Sequence, residues 1–449
     1  MPAQAKLIYR GDDDYERARA ETAWNAHLPD RFPAAIMLAE SAEDVVAAVR
    51  YARESGLTVK ARSGGHSWTA SGIREGSVLV DLSRLRSIEL DLEAGTATVG
   101  PGVEGHELNN LLAPHGLFFP TGHCSTVGLG GFLLQGGWGW NSRAIGPACL
   151  SVEGVEVVTA AGELIVADRE QNTDFWWAAR GAGSGYFAIV TKFLLRLHER
   201  PKAMMRSHYT YSLDDMDAVL HWAARLGPTL PPRLEYSMVA TTPRGLDGEP
   251  GDGGAAIVLT GRALMDTEEE ARAALAELET CPVLDRALAK TAFIPTSFED
   301  LYARSDAVEP EGYRWCADNI WTDAPAEEIV PAVRELFTTI PNAISHVLWY
   351  QWNPQEFPEA AISVQGNLYL GAYTGWTDPA EDAAMLAWPR GQMERLQHLS
   401  NGIQLADENL VARRDRYLSP ENEARLEALR AEHDPDGRIL GYLFAAEVR

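Results

Sequence analysis

The stretch from Arg62 to Trp68, RSGGHSW, places an imidazole, a hydroxyl and an indole directly after two glycines. Gly64 and Gly65 leave no Cβ between the backbone and a ligand, and they tolerate positive φ angles. Successive free N–H groups in such a loop form a concave site for anions, so this segment could cradle a diphosphate. A glycine turn ahead of a strand gives the same pattern, and the loop alone does not separate the two interpretations.

A second segment, Pro120–Arg143, is so dense in glycine that its cost in backbone entropy needs a reason, and close approach to an extended ligand is one. It is not a nicotinamide-dinucleotide fingerprint, because GLGGFLLQGG lacks that spacing, and it has no Gly-Lys-Ser/Thr of a P-loop. A third segment, Asp174–Phe193, adds glycines before a strand. The glycines of the two segments are Gly122, Gly128, Gly130, Gly131, Gly136, Gly137, Gly139, Gly181, Gly183 and Gly185.

A β-α-β unit is predicted to deliver the first loop. Pro33–Glu40 reads as a strand, and the helix after it begins with Ser41 as N-cap and stops at Gly56. Leu57–Ser63 is then a strand that runs into the loop. Shorter helices are predicted over Asp12–Asn25 and Val103–Gly116.

The pattern changes near Met204, where long strands begin to alternate with amphipathic helices. We predict an α+β protein with a first domain over 1–203, a second over 204–400, and a tail over 401–449 that returns to the first domain. The second domain is predicted to be an antiparallel sheet backed by helices, with an exposed hairpin loop over Thr242–Gly254. The tail holds a predicted helix, Ser419–His433, and a closing strand-like segment, Ile439–Phe444.

The composition of the 449 residues excludes several classes of partner. The net charge of −25 at pH 7 repels phosphate backbones and anionic lipids, although solubility is the simpler reason for it. No run approaches the roughly 18 apolar residues of a membrane span, and the first residues lack the apolar core of a signal peptide. The four cysteines lack metal-ligand or redox spacing. We expect a cytoplasmic protein without a metal site, a nucleic-acid partner or a membrane partner.

Three stretches in this order resemble one family. They are RSGGHSW (62–68), GHCSTVGLGGFLLQGGWGWNSRAIGPACLSVEGVEVVTAAGEL (122–164) and DFWWAARGAGSGYFAIVT (174–191). Together they resemble the berberine-bridge-enzyme-like flavoproteins, which belong to the vanillyl-alcohol-oxidase type of FAD-linked oxidases. The resemblance covers about 30–200 clearly and the tail weakly. It implies a two-domain PCMH-type fold with bound FAD.

The resemblance also implies roles for individual residues. His66 would bond to the flavin 8α-methyl group and Cys124 to flavin C6, which makes the FAD bicovalent; both roles need a nucleophilic side chain beside the ring. Val127, three residues after Cys124, resembles the valine of members that react well with O₂. The remaining contacts implied are Arg62, Ser63, Gly64, Gly65 and Ser67 at the diphosphate, Gly128, Gly130, Gly131, Gly137 and Asn141 under the flavin and ribityl chain, and Val190 on the adenine side.

The tail departs from the family pattern, which has a tyrosine and an asparagine two residues apart. Gln404 and Ala406 stand in those places. The family's tyrosine often serves near the reacting carbon, so its replacement leaves the identity of the general base open. The candidates are Tyr350, Gln351, Tyr369 and, in the closing segment, Tyr442. In HVLWYQWN, alternation puts Trp349 and Gln351 on one face and Tyr350 and Trp352 on the other. An aromatic sheet face suits a polycyclic substrate, although aromatic residues at such positions also serve as core.

The reaction implied is a two-electron oxidation of a small alcohol or amine. A base takes a proton, hydride moves to flavin N5, and O₂ reoxidises the flavin and gives H₂O₂. A dehydrogenase that uses another electron acceptor is an alternative, and so is a binding protein that sequesters a drug or metabolite with the flavin as scaffold. Sugars, alkaloids and polyketides are the substrate classes of the family, and WYQW favours a secondary metabolite over a sugar. The sequence leaves the oligomeric state open.

Overall fold

A computed structural model of the chain describes residues 7–243 and 254–444. Helices occur throughout this part of the chain. Within it they are α1 (Tyr15–Glu21), α2 (Ala42–Glu54), α3 (Gly105–Leu112), α4 (Leu129–Leu134), α5 (Ser142–Ile145), α6 (Thr173–Ala179), α7 (Met216–Leu226), α8 (Glu268–Ala276), α9 (Phe298–Val308), α10 (Ala326–Ala332), α11 (Arg334–Thr338), α12 (Asp382–Leu396) and α13 (Pro420–His433).

A four-stranded sheet begins the fold and carries the first glycine loop. Its strands are β1 (Leu7–Tyr9), β2 (Ala35–Leu38), β3 (Val59–Arg62) and β4 (Val78–Asp81), in the order β1-β2-β4-β3. Strands β2 and β3 both pair with β4 in parallel, with α2 connecting them, so the predicted β-α-β unit is present. The α2 N-terminus is a capping box, because Ser41 Oγ accepts from the Asp44 N–H and the Asp44 carboxylate accepts from the Ser41 N–H. Helix α1 is shorter than predicted: Trp24 N donates to Gly65 O, which ties the chain after α1 to the loop.

A second, five-stranded sheet also packs against α2. The strands of this region are β5 (Ile88–Asp91), β6 (Thr96–Val99), β7 (Leu117–Phe118), β8 (Val152–Thr159), β9 (Leu164–Asp168), β10 (Ala188–Arg196) and β11 (His198–Glu199). The sheet is antiparallel in the order β5-β6-β10-β8-β9, and β7 pairs with β11. Val49 of α2 shares one buried cluster with Val80 of β4 and Val158 of β8, so the two sheets have a common core.

The third sheet has seven strands and is entirely antiparallel. They are β12 (Ala203–Ser212), β13 (Leu234–Thr241), β14 (Ala256–Met265), β15 (Ala289–Pro295), β16 (Arg314–Thr322), β17 (His346–Gln351) and β18 (Leu368–Trp376). Their order is β15-β12-β14-β13-β17-β18-β16. Apolar side chains of α7, α8, α10 and α12 pack against one face of this sheet in a single core. The predicted antiparallel sheet backed by helices is therefore confirmed.

The C-terminal segment contacts the first and third sheets. Near its start, Trp321 N donates to Gly402 O at 2.7 Å, and Arg413 forms a buried ion pair with Asp318 of β16 at 2.7 Å. After α13, Ile439 bridges Val59 of β3. The predicted closing strand is wrong beyond that bridge, because residues 440–444 form no strand. The segment thus connects the first sheet to the third.

Two further sequence predictions concern loops and membrane spans. The hairpin loop predicted over Thr242–Gly254 lies mostly outside the described residues, and the strands before and after it, β13 and β14, pair antiparallel. Over residues 7–243 and 254–444, no helix has both the length and the apolar character needed to cross a bilayer.

Candidate functional site

A cavity of about 420 Å³ lies where the glycine loops face the third sheet. The loop after β3, the segment 122–142 and the segment 183–190 form one side of it. Side chains of β13, β14, β16, β17 and β18 form the opposite side, together with residues 404–407 of the C-terminal segment. The cavity has the size of sites that hold small organic ligands.

The first and second glycine loops touch each other through their backbones. A Cβ on Gly64 would lie 2.6 Å from Gly128 N, and a Cβ on Gly128 would lie 2.8 Å from Gly64 N. Gly65 has a φ of +75°, which is accessible to glycine at little cost. Among the described residues, the backbone N–H groups at positions 64–68 have no hydrogen-bond acceptor. Five successive unsatisfied donors beside a cavity fit the oxygens of a diphosphate.

Most of the sequence-predicted cofactor residues line this cavity. Those that do are Arg62, Ser63, Gly64, Gly65, His66, Ser67, Cys124, Val127, Gly128, Gly130, Gly131 and Val190. Gly137 and Asn141 do not. A Cβ on Gly137 would lie 2.7 Å from the Ala148 side chain, and Asn141 is buried with its N–H donating to Glu235. These two residues therefore pack against the rest of the protein and do not face the cavity.

His66 and Cys124 both reach the cavity wall. The His66 ring stacks on Trp24 with 4.9 Å between centroids, and its Nε2 lies 3.0 Å from Thr126 Oγ1. Desolvation lowers the pKa of His66 to about 4, so the imidazole is neutral and nucleophilic at neutral pH. The Cys124 thiol donates to Glu309 Oε2 at 3.2 Å, and desolvation followed by the Glu309 charge raises its pKa well above the ordinary value.

Strand alternation decides which residues of the third sheet reach the cavity. On β17 the cavity-lining residues are His346, Leu348 and Tyr350, whereas Trp349 packs into the helix-covered core. On β18 they are Tyr369 and Tyr373, which pair across the strands with Tyr350 and His346 respectively.

Gly371 lies between these two tyrosines of β18. A Cβ there would lie 2.6 Å from the Tyr373 ring, so the glycine lets that ring lie along the strand toward Tyr369.

A carboxylate from the C-terminal segment joins the two tyrosines. Asp407 accepts hydrogen bonds from Trp68 Nε1 at 2.7 Å, from Tyr373 OH at 2.8 Å and from Tyr369 OH. Asn319 of β16 positions this segment, because its Nδ2 donates to the backbone oxygen of Asp407 at 2.8 Å. Desolvation raises the pKa of Asp407, although the three donors oppose the change. The pKa values of both tyrosines also lie well above the ordinary value, chiefly because of burial.

The sequence-predicted catalytic candidates divide between the two faces of the sheet. Tyr350 and Tyr369 line the cavity. Gln351 does not, because it alternates with Tyr350 and its Nε2 donates to Asn367 O at 2.8 Å on the other side. Tyr442 also lies outside the lining, with its hydroxyl donating to Ala182 O at 2.6 Å.

The positions that depart from the family pattern do lie at the site. Gln404 and Ala406 line the cavity, and Asp407 follows them directly. Asp407 is absent from the sequence-based candidates. Tyr373 could have been found from the alternation in LYLGAYTGW, which places it on the same face as Tyr369.

An arginine lies at another part of the wall, with a buried glutamate beside it. Arg262 lines the cavity, lies 5.7 Å from the Trp140 ring centroid and donates from Nη1 to Ser237 Oγ at 3.0 Å. Glu235, its cross-strand neighbour, is fully buried, and desolvation raises the pKa of this carboxyl to about 7. No group of three or more His, Cys, Asp or Glu residues in the described part of the chain is arranged to hold a metal ion.

The fold and the nest of backbone donors define a flavoprotein of the two-domain, PCMH type. Residues 33–168 match the FAD binding domain family. The 6-hydroxy-D-nicotine oxidase of Arthrobacter nicotinovorans superimposes with a TM-score of 0.84 at 22% identity, over 97% of this chain and 96% of that one. BBE-like 1 of Physcomitrella patens superimposes with a TM-score of 0.81 at 20% identity, over 99% and 97%. These structures share the fold.

Relatives with higher sequence identity identify the family to which the chain belongs. FAD-linked oxidoreductase ptmO of Penicillium ochrochloron is 31% identical over 442 residues, which cover 98% of this chain and 96% of the relative. FAD-linked oxidoreductase nodO of Hypoxylon pulicicidum is 32% identical over 441 residues, 96% of this chain and 95% of the relative. The chain belongs to the FAD-linked oxidoreductases, and its cofactor is FAD.

Substitution of Gly64 by alanine tests the loop contact. The new Cβ would force the two loops apart by overpacking, which costs about 1–3 kcal/mol. We expect the flavin content of the purified Gly64→Ala protein, measured as the ratio of visible to ultraviolet absorbance, to fall about fivefold or more. Gly391→Ala is the matched control, because a Cβ there meets nothing within 4 Å. Normal flavin content in Gly64→Ala would show that the loops do not depend on this contact.

Proposed function

We propose that this protein is an FAD-dependent oxidase that removes two electrons from an alcohol or amine carbon of a small organic substrate and passes them to O₂. The observation that carries the proposal is the phenol of Tyr369, which faces the cavity and donates its hydrogen bond to Asp407. Bound FAD supplies the hydride acceptor and the route to O₂. The chain supplies the base, the walls and the attachment points.

For the attachment, we place FAD along residues 62–67, with His66 and Cys124 as its two covalent anchors. The neutral His66 imidazole and the cavity-lining thiol support this assignment. The first and second sheets then form the cofactor domain, over 1–203, and the third sheet forms the substrate domain, over 204–400. The C-terminal segment 401–449 belongs to both, because its contacts reach β3 as well as β16.

Tyr369 and Asp407 act as one base. The raised pKa of Tyr369 means that no free phenolate is ready in advance. The substrate proton therefore moves to the Tyr369 oxygen while the phenol proton moves to the Asp407 carboxylate. Trp68 and Tyr373 hold that carboxylate through its other hydrogen bonds.

Aromatic side chains shape the space beside this base. Trp138 lies 4.6 Å from Trp352 and 4.8 Å from Trp321, measured between ring centroids, and Trp321 lies 5.1 Å from Tyr369. Such walls favour a flat or polycyclic substrate, such as a secondary metabolite. A relative that is 32% identical over 212 residues is the (R)-6-hydroxynicotine oxidase of Paenarthrobacter nicotinovorans, and the grass pollen allergen Phl p 4, with glucose dehydrogenase activity, has the same fold.

Val127 supports O₂ as the electron acceptor. It lines the cavity, and its N–H donates to Cys124 O at 3.5 Å, so it lies beside the proposed attachment point. In a protein of this fold, wild-type Phl p 4.0202 is a glucose dehydrogenase, whereas a Phl p 4 variant with valine in place of one isoleucine is a glucose oxidase. A small residue beside the cofactor leaves space for O₂.

The function is tested by an anaerobic screen of alcohols, amines and polycyclic metabolites for bleaching of the flavin absorbance. With a substrate in hand, admission of air should restore the absorbance and release H₂O₂ in proportion to the substrate consumed. Val127→Ile should slow reoxidation by O₂ by about tenfold or more by closing this space, while anaerobic bleaching stays within about twofold. Reoxidation by an artificial acceptor but not by O₂ would identify a dehydrogenase instead. Tight binding of a ligand without bleaching would favour a sequestering protein.

The base is tested by Tyr369→Phe and Asp407→Asn. Each should lower the anaerobic rate of flavin reduction by about 10²–10⁴-fold, the usual contribution of a positioned base. Because Asp407 must be ionised to accept a proton, the wild-type rate should fall as pH falls through its raised pKa, and this acid limb should vanish in Asp407→Asn. Tyr417→Phe, which removes a hydroxyl bonded to Glu423 on the C-terminal segment, is the control. Unchanged reduction rates in both site variants would place the base elsewhere.

A further inference from the structure

A second carboxylate, that of Glu309, lies against the Cys124 thiol and has no part in the base described above. Glu309 is the residue directly after α9. Its Oε2 accepts from Cys124 Sγ at 3.2 Å, and its Oε1 lies 3.5 Å from His346 Nε2. The carboxylate is therefore held between a thiol and an imidazole.

Helix α9 fixes this arrangement through one face. Tyr302 OH lies 2.5 Å from Thr121 Oγ1, and Asp306 accepts from both the N–H and the hydroxyl of Ser125 at 2.9 and 2.7 Å. Positions 302, 306 and 309 have the spacing that shares a helix face. The segment before and after Cys124 is thus bound to the same helix that presents Glu309.

The surroundings of the thiol do not ionise it in advance. The charged groups that act on Cys124 are Glu309, Asp306 and Asp407, all of them carboxylates. A thiol gains nucleophilicity as the thiolate, which cations favour and anions oppose. A buried thiol among carboxylates must therefore give its proton to an acceptor during the reaction itself.

His346 lies beside the acceptor, the Glu309 carboxylate. Its ring stacks on Tyr373 with 4.6 Å between centroids and 11° between planes, and it is buried. Desolvation acts to raise the pKa of Glu309, but the neighbouring His346, together with the thiol, outweighs it and lowers that pKa. Glu309 is consequently ionised at neutral pH, and its Oε2 faces the Cys124 thiol.

We propose that Glu309 is the base that accepts the Cys124 proton as the thiol forms its bond to flavin C6, with His346 as its positioning residue. The proposal rests on the Cys124 attachment in the proposed function. In the net reaction, the S–H bond and the ring C–H bond break and one S–C bond forms. The two protons and two electrons released reduce O₂ to H₂O₂, so O₂ is the oxidant for the linkage.

Glu309→Gln tests the role by mass spectrometry of the proteolytic peptide that contains Cys124, with no activity assay. In wild-type holoprotein this peptide should carry flavin. In Glu309→Gln, flavin should remain on His66, while the flavinylated fraction of Cys124 falls about tenfold or more and the free thiol reacts with iodoacetamide. Glu311→Gln is the matched control, because Glu311 is exposed two residues further on. It should be linked as in wild type.

A pH series separates proton transfer from loop placement. When purified Glu309→Gln holoprotein is incubated in air, linkage of Cys124 should accelerate about tenfold per pH unit from neutral pH upward, because hydroxide replaces the missing base. Without O₂ it should stop. A variant that only displaced the loop would gain nothing from pH.

Three outcomes decide the matter. Full linkage in Glu309→Gln as isolated overturns the role of Glu309, and so does an absence of pH rescue. A wild-type Cys124 peptide without flavin overturns the attachment itself, and with it this inference, while the Tyr369–Asp407 base remains testable by flavin reduction.

Discussion

The contact between the backbones of Gly64 and Gly128 is the constraint on which the site depends. With no side chain at either position, the loop after β3 and the loop before α4 meet atom to atom, and the donors at 64–68 are left facing the cavity. His66 directly follows Gly64 and Gly65, and Cys124 lies four residues before Gly128. One close approach therefore fixes both the row of backbone donors and the His66 and Cys124 side chains beside it.

Features carried by local sequence were predictable. The capping box at Ser41, the β-α-β unit and the glycine loops depend on residues near each other in the chain, and the antiparallel third sheet follows from alternating strands. The prediction of FAD as the cofactor came from the resemblance to a flavoprotein family. The resemblance implies that Gly137 and Asn141 contact the cofactor, yet neither lines the cavity, because resemblance over a run of residues does not decide which side of the loop each one faces.

The residues that complete the site could not be found in this way, because they meet only through tertiary structure. Asp407, Tyr369 and Trp68 come from three distant segments, and the pairing of Glu309 with Cys124 depends on how α9 docks. Gln351 is a predicted catalytic residue that does not reach the cavity. Successive side chains of a strand point to opposite faces of the sheet, so Tyr350 and Gln351 cannot both face the cavity, and Tyr350 does. The sequence shows that the two residues lie on opposite faces, but it does not show which face of the sheet carries the site.

The place of Asp407 in the chain has a consequence for biosynthesis. Both glycine loops and every strand of the three sheets precede it, so a nascent chain can assemble the cofactor cradle before the ribosome has made the carboxylate. The side chains of Trp68, Tyr369 and Tyr373 lack their common acceptor until the segment around Asp407 is in place. Asn319 holds that segment through its hydrogen bond to the Asp407 backbone oxygen. The hydrogen bonds around Asp407 therefore close late in synthesis, after the residues of all three sheets have been made.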